Sequence, residues 1–150
     1  MAVYTDLESL LAVGILKPRE SNAVIPCVEI MQREFVQYDD DTRSVTCAYP
    51  VLPIFSNPRG VMQGGFICAA FDNTFGMLVY FLTQTLAMAT VDLDVNYHKG
   101  IAVGDKLEIT TNLKYQGKTI IHMVGEAYNS NHELIASATT NIYLLDKKNN

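Results

Sequence analysis

The chain has 150 residues, 49% of them hydrophobic and 18% charged, which suits one domain spanning 1–150 with its own core. Its net charge of −5, with no basic stripe to neutralise phosphates, excludes a nucleic-acid role. Cys27, Cys47 and Cys68 form no CxxC or Cys/His grouping that would hold zinc, and read as free thiols of a reducing cytoplasm.

The opening "MAVYTDLESLLAVG" has no basic stretch and carries acids among its apolar residues, so it does not read as a signal peptide. Residues 5–12 are predicted as a short helix that Thr5 or Asp6 caps, with Leu7, Leu10 and Leu11 on a narrow apolar face. Pro18 closes that region. Residues 23–37 and 44–50 are rich in β-branched and aromatic side chains and are predicted as two antiparallel strands, with "YDDDTR" as the turn.

The stretch "NPRGVMQGGFICAAFDNTFG" at 57–76 opens the longest apolar run. Residues 64–82 are apolar on nearly every side, as in a helix surrounded by protein. A membrane span is excluded here, because the run is barely long enough and holds Asp72 and Asn73 at mid-depth. Beyond it, "TVDLDVNYH" alternates cleanly, with Val91, Leu93, Val95 and Tyr97 on one face. "KLEITTNLKY" repeats the pattern with Leu107, Ile109, Leu113 and Tyr115, and "TIIHMVGEAY" and "ELIASATTNIYLL" follow as further strands. Four consecutive strands predict a meander burying its apolar face on the helix, an α+β domain. Lys147 and Lys148 read as a solvated tail.

Gly64 and Gly65 stand where loop becomes helix, so backbone can approach a ligand, and the first-turn N–H groups lack intrahelical partners. They either end a tight loop or hold a carbonyl oxygen that turns into an oxyanion. Asp72 is either satisfied by a nearby hydroxyl or amide, or is a desolvated general base or nucleophile. On one helix the two positions are about 12 Å apart, too far to act on one carbon. If both are catalytic, the N–H trap of one subunit faces the carboxylate of another, which predicts a homodimer of antiparallel helices.

Together with "ATVDLDVNYHKGIAVGDKLEI" and "YQGKTIIHMVGEAYNSNHELIASAT", the 57–76 stretch resembles the hotdog-fold acyl-CoA thioesterases of the phenylacetate-pathway type, over about 45–145. The resemblance implies a five- or six-stranded antiparallel sheet around one long central helix, and dimers that pair into homotetramers. It assigns the catalytic carboxylate to Asp72, the carbonyl-polarising N–H to Gly64, a loop amide to Asn57 and a water-orienting hydroxyl to Thr90. Thr90 also reads as a strand threonine bonding locally. Gln63 departs from the family's His before the two glycines; it can still hydrogen bond to the thioester but cannot titrate near neutral pH. His98, His122 and His132 read as surface or packing residues.

Substrate contacts fall to Gly65 and, for the phosphates of CoA, to Arg59, Lys99 and Lys118, each of which also reads as a solvated charge. The substrate implied is an acyl-CoA or acyl-carrier thioester, with no metal and no cofactor, CoA being part of the substrate. Two alternatives stay open: a non-catalytic acyl-thioester binder, and a hotdog dehydratase or hydratase, against which the absence of a helix-borne His argues.

Overall fold

The computed structural model describes residues 2–18 and 24–145. Its elements in chain order are β1 (Val3–Tyr4), α1 (Leu7–Ala12), α2 (Pro26–Ile30), β2 (Glu34–Asp39), β3 (Ser44–Pro50) and a 3-10 turn at Pro53–Phe55. Then come α3 (Gly64–Thr83), β4 (Met88–Tyr97), β5 (Lys106–Gln116), β6 (Ile120–Tyr128) and β7 (Leu134–Leu144). The strands form one seven-stranded sheet in the order β1-β2-β3-β5-β6-β7-β4, and every pairing is antiparallel. With α3 laid across one face of that sheet, the architecture is the α+β hotdog. The strand count exceeds the five or six expected, partly because two residues at the N-terminus add β1.

The helix forms where the sequence places it. Its inner face (Ile67, Ala70, Phe71, Thr74, Phe75, Leu78) is buried against the sheet. Thr74 is satisfied in that core by donating to the Ala70 carbonyl at 2.8 Å and sharing a 2.9 Å bond with the Tyr49 hydroxyl. Length and composition do not by themselves exclude a membrane span for α3, contrary to the expectation from Asp72 and Asn73, since the helix is long and apolar enough to cross one. The packing of its inner face explains the apolar run without one.

Close approach of helix to sheet depends on Gly125 in β6. A Cβ there would lie 3.1 Å from Phe75 Cζ and 3.2 Å from Phe71 Cε1, both in buried rings. Gly125→Ala is therefore expected to destabilise the protein by about 1–3 kcal/mol through overpacking. Urea titration checks it: the midpoint falls at an unchanged slope. An unchanged midpoint would mean that the two rings yield freely.

Several expectations are corrected. Residues 23–37 are not one strand: residue 23 lies outside the described residues, and Pro26 starts the short α2, where its fixed φ and missing N–H suit a first turn. The strand begins only at Glu34. Asp6, not Thr5, caps α1, accepting from the Ser9 N–H at 2.7 Å. The last four strands are not a simple meander, since β4 crosses to the far side of β7 and β3 takes the place beside β5. Tyr115 leaves the apolar face, at 66% exposed, because a bulge between Leu113 and Tyr115 breaks the alternation. Lys147 and Lys148 lie outside the described residues.

The largest correction concerns α3. The sheet does not enclose the helix, and Gly65 and Asp72 are exposed, Asp72 on the flank beside β4. Asp72 is not desolvated by its own chain.

Candidate active site

The loop before α3 is a self-supporting turn. The Asn57 carbonyl accepts from Gly60 N–H at 2.9 Å, and its side-chain Oδ1 accepts from Arg59 N–H at 2.9 Å. Gly60 adopts φ +76°, which the turn requires and which glycine takes without strain. Asn57 thus spends its side-chain oxygen on the loop, a role beside the ligand contact expected of it. Gln63 precedes the helix in extended conformation, its N–H on the Phe55 carbonyl at 2.8 Å and its own carbonyl accepting from Phe66 at 3.0 Å. The Gln63 side chain makes no capping bond and the residue is exposed. Among the described residues, the Gly64 and Gly65 N–H groups have no backbone acceptor, as first-turn positions lack one within the helix.

Gly64, Cys68 and Asp72 follow at four-residue spacing and so share one row of α3, which faces β4. Thr90 Oγ1 on β4 donates to Asp72 Oδ1 at 2.8 Å. A bulge between Thr90 and Asp92 sets Val91 outside the pairing with β7, next to the threonine that reaches the helix. The hydroxyl fits both readings of Asp72, a satisfied carboxylate and a held base.

Tyr97 was missed as a site residue. Its hydroxyl donates to the Gly64 carbonyl at 2.7 Å, and a Cβ on Gly64 would meet Tyr97 Cζ at 3.0 Å. A side chain at 64 would therefore crowd the tip of the Tyr97 ring, whereas a Cβ on Gly65 would meet nothing within 4 Å. Alternation in β4 puts Tyr97 on the helix side, and that is the available signal. Burial pushes the Tyr97 hydroxyl and the Cys68 thiol up from their ordinary values, the thiol further raised by the nearby Asp72 carboxylate.

The cationic residues separate. Arg59 sits in the loop before α3, and Lys99 lies beside Gly100, which packs on Val61 of that loop. Lys99 pairs with Glu133. Lys118 is brought to neither: it follows the far end of β5, roughly 33 Å along the strand from Lys106.

The Thioesterase superfamily description matches residues 59–136 of the chain. Among solved structures, the E. coli PaaI protein from the phenylacetic acid degradation operon aligns with a TM-score of 0.74 at 17% identity, over 81% of this chain and 86% of that one. A phenylacetic acid degradation-related protein from Ralstonia eutropha JMP134 aligns with a TM-score of 0.75 at 24% identity, over 84% and 95%. A hypothetical thioesterase protein from Streptococcus pneumoniae TIGR4, solved with coenzyme A, aligns at 0.67 and 22% identity, over 75% and 85%. At these identities the likenesses establish the fold. No curated protein matches the chain.

Proposed function

Since the chain belongs to the thioesterase superfamily, we propose that it hydrolyses an acyl-CoA to the free acid and CoA, at a site shared between two copies. One observation carries the reading. Asp72 is an exposed carboxylate on the flank of α3 beside β4, gripped by Thr90 at 2.8 Å and two turns beyond a helix N-terminus with N–H groups to spare.

In this reading the thioester oxygen accepts from the Gly64 N–H of one subunit, with Gly65 leaving room for the acyl carbon to approach. Asp72 of the partner subunit takes a proton from water as the water oxygen attacks the carbonyl carbon, and Thr90 fixes the carboxylate. The tetrahedral intermediate then expels CoA thiolate as the C–S bond breaks, and the thiolate takes up a proton. Direct attack by Asp72 would give an anhydride that water opens to the same products. Arg59 and Lys99 stand on the Gly64 side, where they can meet CoA phosphates. A structural neighbour solved with coenzyme A supports CoA as the carrier.

The second copy is supported by β4. Among the described residues it pairs only with β7, which leaves its other edge open, and Val91 on it is 60% exposed. Pairing of two β4 edges would set the open faces of two α3 helices against each other, with further pairing into tetramers as the resemblance implies.

Gln63 favours one other reading. Without a titrating His before the glycines, the site could hold a thioester and not turn it over. Thiol release from a panel of acyl-CoAs, against a protein-only blank for Cys27, Cys47 and Cys68, tests the choice. Release of free CoA with turnover is expected; saturable acyl-CoA binding with no release would make the protein a binder.

A further inference from the structure

The N-terminal segment carries little of the family resemblance, yet it builds the far wall of a cavity of about 490 Å³ over the outer face of α3. One wall is the helix itself: Asp72, Gly76, Met77 and Tyr80. The opposite wall is Leu11 of α1 and Val28 of α2, with their neighbours. The volume falls within the range of about 300–1,000 Å³ typical of small-molecule sites. Asp72 is exposed and lines the cavity as well, so it stands where the cavity meets solvent.

The wall is fastened to the helix. The Gln84 amide, just past the end of α3, donates to the Ile15 and Phe81 carbonyls, and its oxygen accepts from Lys17 N–H at 3.0 Å. Leu16 beside them is buried. At the other end, Arg33 donates to the Asn73 carbonyl at 3.1 Å, which ties the segment after α2 to the helix. That bond occupies one of the five guanidinium N–H donors, and Arg33 and Lys17 are the two cationic residues on the lining.

Resting on the reading of Asp72 as the catalytic carboxylate, we propose that this cavity is the acyl pocket and that it selects an apolar acyl chain of medium length. The helix supplies the ruler. From Asp72 to Tyr80 the pocket runs about 12 Å along α3. An extended chain advances about 1.2 Å per bond, so about ten bonds fit. A chain entering past Asp72 places its thioester at the carboxylate and its methyl end near Tyr80.

Gly76 leaves the space that makes this possible. A Cβ at Gly76 would meet nothing within 4 Å, although glycine is a poor helix former in the middle of a 20-residue helix. A first side-chain carbon there has open space, and Gly76 lines the cavity, so a larger residue at this position is placed to occupy it.

The experiment compares native protein, Gly76→Leu and Leu11→Asp, the last at an exposed position on the opposite wall. It reads kcat/KM for acetyl-, hexanoyl- and decanoyl-CoA and for a decanoyl analogue ending in a carboxylate. It also reads the Kd of S-decyl-CoA, a thioether that cannot be hydrolysed. Native protein is expected to prefer decanoyl- over acetyl-CoA by more than about tenfold, as burial of even two methylenes would give. Both variants should lose that preference and weaken S-decyl-CoA binding by at least about tenfold. A flat or short-chain profile, a preference for the carboxylate-ended chain, or a preference that survives both substitutions would overturn the pocket. If no thioester is turned over but S-decyl-CoA binds natively and not in the variants, the pocket stands and the hydrolase reading falls.

Discussion

Asp72→Asn is expected to lower kcat for thioester hydrolysis by about 10²–10⁴-fold, the range a positioned general base supplies, and to leave KM within about threefold. The substitution is chosen for what it preserves. Asparagine keeps the Oδ1 that accepts from Thr90 Oγ1 and keeps the size of the side chain. The position is exposed, so neither core nor helix depends on the charge. What disappears is the ability to accept a proton or to attack a carbonyl. Paired kinetics and thermal melts on the two proteins make the check: a collapse of kcat with an unchanged Tm places the chemistry on the carboxylate. Turnover within about threefold of native would remove Asp72 from the mechanism, whatever Thr90 does to it.

The parts of the fold that repeat locally were legible in the sequence. The apolar run gave α3 to within one residue of its observed Gly64–Thr83, and strict alternation gave β4 and most of β5. What depends on a distant neighbour was not legible. Nothing in the alternation of "KLEITTNLKY" announces the bulge that turns Tyr115 outward, because a bulge is settled by the strand opposite. The β-branched residues around Pro26 point to a strand, although a proline is well suited to open a helix, as it does here. Asp72 shows the same limit at the site. Its sequence neighbours are apolar all round the helix, but this chain's sheet does not enclose the helix, so apolar surroundings in sequence did not mean burial. The grip of Thr90 on Asp72 and of Tyr97 on Gly64 joins residues 18 and 33 apart. The pocket wall reaches further still: Gln84 reaches back 69 residues to Ile15 to hold it.

Two inactive variants are expected to restore activity when mixed. Gly64→Val puts a side chain where Tyr97 Cζ would be 3.0 Å from its Cβ, displacing the ring and obstructing the N–H trap. Asp72→Asn removes the carboxylate. Each alone should fall on the order of a hundredfold or more below native. Gly64 and Asp72 lie about 12 Å apart along α3, while both must come within about 3 Å of one reacting group, so a single subunit cannot supply both. In a heterodimer of the two variants, one of the two symmetry-related sites takes Gly64 from the Asp72→Asn subunit and Asp72 from the Gly64→Val subunit, and is intact. After unfolding and refolding together, a statistical mixture should recover roughly a quarter of native activity. Recovery also separates lost chemistry from lost structure, because a Gly64→Val subunit that could not fold would lend no carboxylate. A site contained in one subunit predicts the opposite: every subunit in the mixture carries a lesion, and activity stays at the level of the single variants. The open edge of β4, with Val91 exposed upon it, is where such an exchange of subunits would join.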